Sequence, residues 1–259
     1  MYSLHEIEKQ YPPQLQGFKR FMLREYLQHK ILQIIYDSEY AASLVFLGGT
    51  SLRIVHGNTR FSEDLDFDNW LMKEPDFEKL SEHISKQLSK EGYTVEIKTV
   101  MRGAFHCHIR FPELLFKEGL SGHREEKILI QLDTEPQHFE YTPQSYILNR
   151  FDVFTAIQVT PPELLLAQKF YAILNRERNK GRDFFDVVFL LSLVNAPNYD
   201  YLQLKKNISN SDELKQALFE RCNSINMNEM ANDVQPFLFN AADVKKVLYF
   251  TDYIRQVKL

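Results

Sequence analysis

Apolar positions recur at helical spacing early in the chain. Phe18, Phe21, Met22, Tyr26, Ile31, Leu32 and Ile35 fall among Lys, Arg and Gln, which predicts a long amphipathic helix over about 14–36. The short apolar run 43–47 ends in Gly48-Gly49 and predicts a buried strand entering a tight turn. Thr50 is placed to cap a short helix through Ile54 and Val55 that Gly57 closes. Leu65 and Phe67 then alternate with Asp64, Asp66 and Asp68, which is strand period. A helix over 76–91 follows, then strands over 93–101, 105–111, 127–133 and 154–160. Pro161-Pro162 is the sharpest boundary, and proline is well tolerated in a first helical turn. Beyond it the pattern predicts only helices, over 162–178, 183–195, 199–207, 211–222 and 226–258. The expected class is α+β: a small mixed β-sheet core with flanking helices over 1–160, then a helical domain over 161–259.

The acidic strand carries the first candidate chemistry. Residues two apart in a strand point the same way, roughly 6.5–7 Å apart at their Cα atoms. Asp64 and Asp66 therefore share one face while Leu65 and Phe67 take the other. Two carboxylates that close repel, and a divalent cation removes the conflict. Mg²⁺ is held by one or two carboxylates together with substrate phosphates and water. A lone D-x-D is common on solvated strand edges. Here, however, a strand, Gly48-Gly49, Thr50-Ser51, Arg60, Ser62 and the acid pair fall within one short stretch. Backbone N–H groups at such a glycine turn can cradle phosphate. Asp133 ends the apolar strand 127–133 and is a candidate third ligand or general base, or else a cap on the next turn. His106, His108 and Arg110 share a strand face that lines a cleft or meets solvent. No second ligand pair sits at zinc spacing.

Overall charge changes the picture little. Lys plus Arg number 31 against 35 Asp plus Glu, so net charge is −4 and no global pull toward nucleic acid exists. A local one does: Arg176, Arg178, Lys180 and Arg182 crowd together with a single Glu, after a helix whose lone cation is Lys169. Such a cluster suits triphosphate or nucleic-acid backbone, or is simply a solvated loop. Asp183 can cap the next helix, and Arg182 and Asp186 are spaced to pair. With apolar residues at 44% the chain is not a disordered one. The N-terminus lacks the apolar core of a signal peptide, the longest apolar run (187–194) is too short to span a bilayer, and the two cysteines, Cys107 and Cys222, cannot form a disulfide framework. Buried, reduced thiols and a cytoplasmic location are expected.

Together these stretches resemble the AbiEii/AbiGii toxin family, within the DNA polymerase β-like nucleotidyltransferase superfamily. The resemblance rests on Gly48-Gly49-Thr50-Ser51-Leu52, on Arg60, Ser62, Asp64, Leu65, Asp66 and Phe67, and on Lys169, Ala172, Arg182, Asp183 and Asp186. Gly49 stands where many superfamily members have serine, so Thr50 or Ser51 would have to supply that hydroxyl. The resemblance implies a toxin encoded beside an antitoxin, linked to phage defence. It implies transfer of a nucleotide from an NTP to RNA, notably the tRNA acceptor end, with two Mg²⁺ ions. It places Mg²⁺ on Asp64 and Asp66, with Ser62 beside the triphosphate. Lys169 contacts phosphates, and Asp186 is a late active-site acid supplied by the helical domain. Asp133 lies outside the shared motifs, so its role stays geometric. Rival readings are transfer to a small molecule such as an antibiotic or to a protein, and a nucleotide-binding regulator without turnover.

Overall fold

The computed structural model describes residues 2–259. The chain divides into two compact units. One comprises the chain up to His56 together with Phe61–Val159, the other Gly57–Arg60 together with Thr160–Leu259.

The first unit is built on one mixed sheet. Its strands are β1 (Leu44–Leu47), β2 (Leu65–Asn69), β3 (Glu96–Arg102), β4 (Ala104–Phe111), β5 (Ile128–Glu135), β6 (Gln144–Arg150) and β7 (Val153–Val159), ordered β3-β4-β5-β2-β1-β7-β6. At its centre β2 runs antiparallel to β1 and parallel to β5. The helices are α1 (Leu4–Glu8), α2 (Lys19–Tyr36), α3 (Gly48–Ile54), α4 (Glu74–Lys90) and α5 (Leu114–Lys117). Leu65, Phe67, Ile130 and Leu132 are buried on the core side of β2 and β5. Each such side chain contributes about 1.5–3 kcal/mol by leaving water. Alternation then sends Asp66 and Asp133 to the opposite face.

Several expectations change. Strand β6 escaped the pattern: Tyr146, Ile147 and Leu148 run together, and Ile147 on this sheet-edge strand is exposed, so no alternation shows. Asp64 precedes β2 instead of lying within it. Thr50 does not cap α3, which begins at Gly48 after Leu47. The Thr50 hydroxyl instead donates to the Asp64 carbonyl. The start of the first long helix is a 3₁₀ turn, Pro13–Phe18. Helix α2 is also not amphipathic in the ordinary sense, because Glu25, Gln28, His29 and Lys30 are all buried. They tolerate burial because each has partners. Glu25 accepts from Tyr11 (2.9 Å), Arg53 (2.7 Å) and Arg150 (2.7 Å), and Lys30 pairs with Glu91 (3.2 Å).

The second unit is helical: α6 (Pro162–Asn175), α7 (Gly181–Leu190), α8 (Tyr199–Lys206), α9 (Ser211–Cys222), α10 (Met227–Val234), α11 (Lys245–Leu248) and α12 (Phe250–Gln256). The helix expected over 226–258 is broken, by a 3₁₀ turn containing Pro236 and by Asn240, whose side chain caps the next turn. Gly181 lets α7 start against α10, since a Cβ there would sit 1.8 Å from the Met230 carbonyl oxygen. Gly57–Arg60 joins this unit through a bridge between Arg60 and Leu238 and a bond from the Phe239 amide to the Thr59 carbonyl. Both cysteines are buried free thiols, pushed by burial up to about 11.

Candidate active site

The acids of the first unit meet through strand register. Asp66 on β2 is the direct partner of Asp133 on β5, and because the strands are parallel both side chains leave the same face. Neighbouring strands lie about 4.8 Å apart, so the two side chains leave the sheet side by side. On the other flank Asp66 pairs with Leu47, the residue before Gly48. Gly48 has φ +78°, and a Cβ built on it would fall 2.2 Å from Asp66 Oδ2. Glycine is required here twice over, for the backbone angle and for room beside the carboxylate.

The segment leading into β2 is held from below. Gln28 donates its side-chain amide to the carbonyls of Ser62 (3.2 Å) and Glu63 (2.9 Å), and Thr50 fixes the Asp64 carbonyl. Glu25, wholly buried, binds Arg53 of α3 and so ties the Gly48–Ser51 turn to α2. Ser51 is buried and its hydroxyl makes no hydrogen bond among the described residues, while Gly49 and Thr50 are buried beside it. Asp133 is bonded on two sides: His106 Nδ1 lies 2.6 Å from Oδ1, and the Gln131 amide donates to both oxygens at 2.9 Å. The third acid of the acidic strand, Asp68, is structural. It is buried and accepts from the Gln137 amide, Trp70 Nε1 and the Tyr141 hydroxyl.

In the second unit Asp186 is fully buried and held by four hydrogen-bonding contacts. Arg60 meets it with Nε (2.7 Å) and Nη2 (2.6 Å), Asn58 donates at 2.9 Å, and Lys169 Nζ lies 2.8 Å away. Burial alone would raise the Asp186 carboxyl, but Arg60 and Lys169 outweigh it and hold it below the usual carboxylate range. Lys169 also pairs with Asp183 at 2.8 Å, and these two acids, working against burial, keep its ammonium above the ordinary value. Arg60 and Lys169, expected on the nucleotide, and Asp186, expected as a late active-site acid, are thus turned on one another. Asp183 is not the cap of α7; it sits in the first turn with Lys169 and Arg176 as partners. Arg182 carries its guanidinium over the Phe237 ring, 4.6 Å from the centroid. Arg176, Arg178 and Lys180 are exposed.

The model of the family described as nucleotidyl transferase AbiEii toxin, type IV toxin–antitoxin system, matches residues 30–247. The chain belongs to this family. This AbiEii-family protein is therefore a nucleotidyltransferase, and it belongs to a toxin–antitoxin family. Its fold is similar to that of JHP933 from Helicobacter pylori, with a TM-score of 0.57 and 17% identity over 91% of this chain and 90% of that one. It is also similar to a candidate nucleotidyltransferase from H. pylori, with a TM-score of 0.55 and 17% identity over 92% and 95%. No curated protein matches the sequence. No helix among the described residues is long and apolar enough to cross a membrane.

The chemistry of these side chains fits a hard divalent cation, for which Asp64 and Asp66 would supply carboxylate oxygens, and Gly48 carries no Cβ to crowd Asp66 Oδ2. Among the described residues no three His, Cys, Asp or Glu side chains are gathered as a metal-holding group. Asp133 bonds His106 and Gln131. Sequence reasoning missed Asn58 in the clamp and the supporting roles of Glu25 and Gln28. No local signal marks them: Asn58 sits in the polar stretch 56–60, and Glu25 and Gln28 lie among the other polar residues of α2.

Proposed function

We propose that this protein is a Mg²⁺-dependent toxin that transfers NMP from an NTP to the 3′ hydroxyl of RNA, tRNA being the favoured acceptor. The observation that carries the reading is the pairing of Asp66 with Asp133 on parallel strands, backed by the Cβ-free Gly48. Asp64 and Asp66 would hold Mg²⁺, with Asp133 as the third carboxylate. Mg²⁺, when bound, supplies charge neutralisation at the phosphoryl oxygens and lowers the pKa of the attacking hydroxyl. The Gly48–Gly49 turn with Thr50, Ser51 and Ser62 receives the triphosphate, and the orphaned Ser51 hydroxyl is suited to a phosphate oxygen. The acceptor oxygen bonds to the α-phosphorus as the bond to the bridging oxygen breaks, pyrophosphate leaves, and the hydroxyl proton passes to Asp133. His106 and Gln131 fix the orientation of that carboxylate. The exposed cations Arg176, Arg178 and Lys180 suit the RNA backbone. The clamp of Arg60, Lys169 and Asp186 is assigned a positioning role, holding the residues just ahead of Ser62 in one conformation. A cognate antitoxin, which the family's toxin–antitoxin description supports, a role in phage defence and a cytoplasmic setting complete the proposal.

Incubation with total tRNA and each labelled NTP tests this. Label should enter tRNA with Mg²⁺ present, and Asp66→Asn should abolish it while circular dichroism is unchanged. Wild-type-like incorporation by that variant would refute the site. Incorporation into a small molecule or protein in place of RNA would refute the acceptor.

A further inference from the structure

Past the acid pair, the same strand opens onto a second feature. A cleft of about 650 Å³ lies at the end of β2, walled by Trp70 and Leu71 on one side and by Pro136, Phe139 and Tyr141 on the other. That volume falls within the range of small-ligand sites. Trp70 and Leu71 are 40% and 76% exposed, a costly display of apolar surface unless something covers it. The rings are not loose. Buried Asp68 accepts from Trp70 Nε1 (3.1 Å), the Tyr141 hydroxyl (2.9 Å) and the Gln137 amide (2.8 Å), so one carboxylate fixes both walls. Trp70 meets Tyr141 edge-on with centroids 5.5 Å apart, and Phe139 lies nearly parallel to Tyr141, 21° between planes. Asn69 secures the turn through Met72, accepting from its amide (2.9 Å) and donating to its carbonyl (3.1 Å). His138, on the opposite wall, is held at φ +51°, a left-handed angle that side-chained residues seldom adopt without a reason.

We propose that this cleft binds a nucleobase of the substrate, an inference that rests on the nucleotidyl-transfer reading above. Rigid aromatic faces stack any base. No lysine or arginine lines the cleft among the described residues, so it suits the ring and not the phosphates. Asp66 and Asp68 share a strand face, and Trp70 follows at the same spacing roughly 13 Å beyond Asp66. A base stacked there would therefore belong to a nucleotide whose reacting group lies at the acids. The base could come from the donor NTP or from an unpaired residue of the acceptor RNA.

Trp70 is the sole tryptophan of the sequence, so fluorescence excited at wavelengths that tyrosine does not absorb reports on this cleft. The full-length protein, in buffer with EDTA, is titrated with each NTP, with a short single-stranded oligoribonucleotide and with an abasic oligomer of the same length. Saturable quenching by free NTP assigns the donor base; quenching by the oligoribonucleotide alone assigns the acceptor base. In either case Phe139→Ala should weaken binding about tenfold or more. No quenching by any base-bearing probe, or equal quenching by the abasic oligomer, overturns the proposal. So does a wild-type KM for both substrates in Phe139→Ala. Quenching without nucleotide transfer would sink the transfer reading and leave the cleft; transfer without quenching would do the reverse.

Discussion

His106 Nδ1 lies 2.6 Å from Asp133 Oδ1, across two antiparallel strands whose register makes the residues direct partners. The bond ties one edge of the proposed acid set to a side chain that carries its own hydrogen-bonding chemistry. Removing it leaves Asp133 held by Gln131 alone on that flank. His106→Ala should lower nucleotide incorporation by about 10–100-fold, the usual cost of losing a group that orients a ligand carboxylate. Melting temperature should barely change, because both side chains are partly exposed. Initial rates of labelled NMP transfer, beside a melting curve, check this; Asp133→Asn should cost more.

Gly48→Ala should be worse for activity than for stability. The left-handed φ costs about 1–2 kcal/mol for a side-chained residue, and the new Cβ must displace the Asp66 carboxylate it would otherwise meet at 2.2 Å. A melting temperature a few degrees lower, with transfer reduced at least about a hundredfold, is the expected pair of results. Unchanged transfer would show that the Asp66 carboxylate moves freely without loss.

Asp186→Ala should be strongly destabilising. It leaves Arg60, 1% exposed, as a buried cation with its main partner gone. Breaking a buried pair from one side costs about 3–5 kcal/mol. Urea unfolding at neutral pH measures it. Replacing both partners with apolar residues, Arg60→Met with Asp186→Leu, should recover part of that loss, since the Arg60 charge is no longer stranded and Lys169 keeps Asp183, while Asn58 still loses its acceptor.

Acid should weaken the fold through His29. Burial holds its imidazole down from 6.5 to about 4, against the pull of Glu25. The unfolded chain takes up the proton first, so stability is complete above about pH 6.5 and falls as pH drops toward 4. Between about pH 7.5 and pH 5 this one group removes about 2 kcal/mol. Urea midpoints at the two pH values should differ accordingly, and a His29→Leu variant should lose most of the difference.

Much of the architecture can be read from local pattern. The alternation at 64–68 fixes the faces of β2, and Pro161-Pro162 marks where helices take over. Three things cannot be read that way. Strand β6 carries consecutive apolar residues at an open sheet edge, where burial imposes no period. The polar side of α2 is buried, because Arg53 and Arg150 reach Glu25 from distant segments. The roles of Arg60 and Asp186 depend on a contact 126 residues apart in sequence, for which no spacing rule exists. The acids at 64 and 66 are legible as a pair. Their relation to Asp133 follows only from strand order and register.

The four residues from Gly57 to Arg60 make the helical unit discontinuous along the chain. During synthesis Arg60 leaves the ribosome long before Asp186 exists to receive it, so the loop ahead of β2 stays unlatched until the last third of the polypeptide emerges. A nascent or prematurely terminated product would thus carry the Arg60 guanidinium without the carboxylate that receives it.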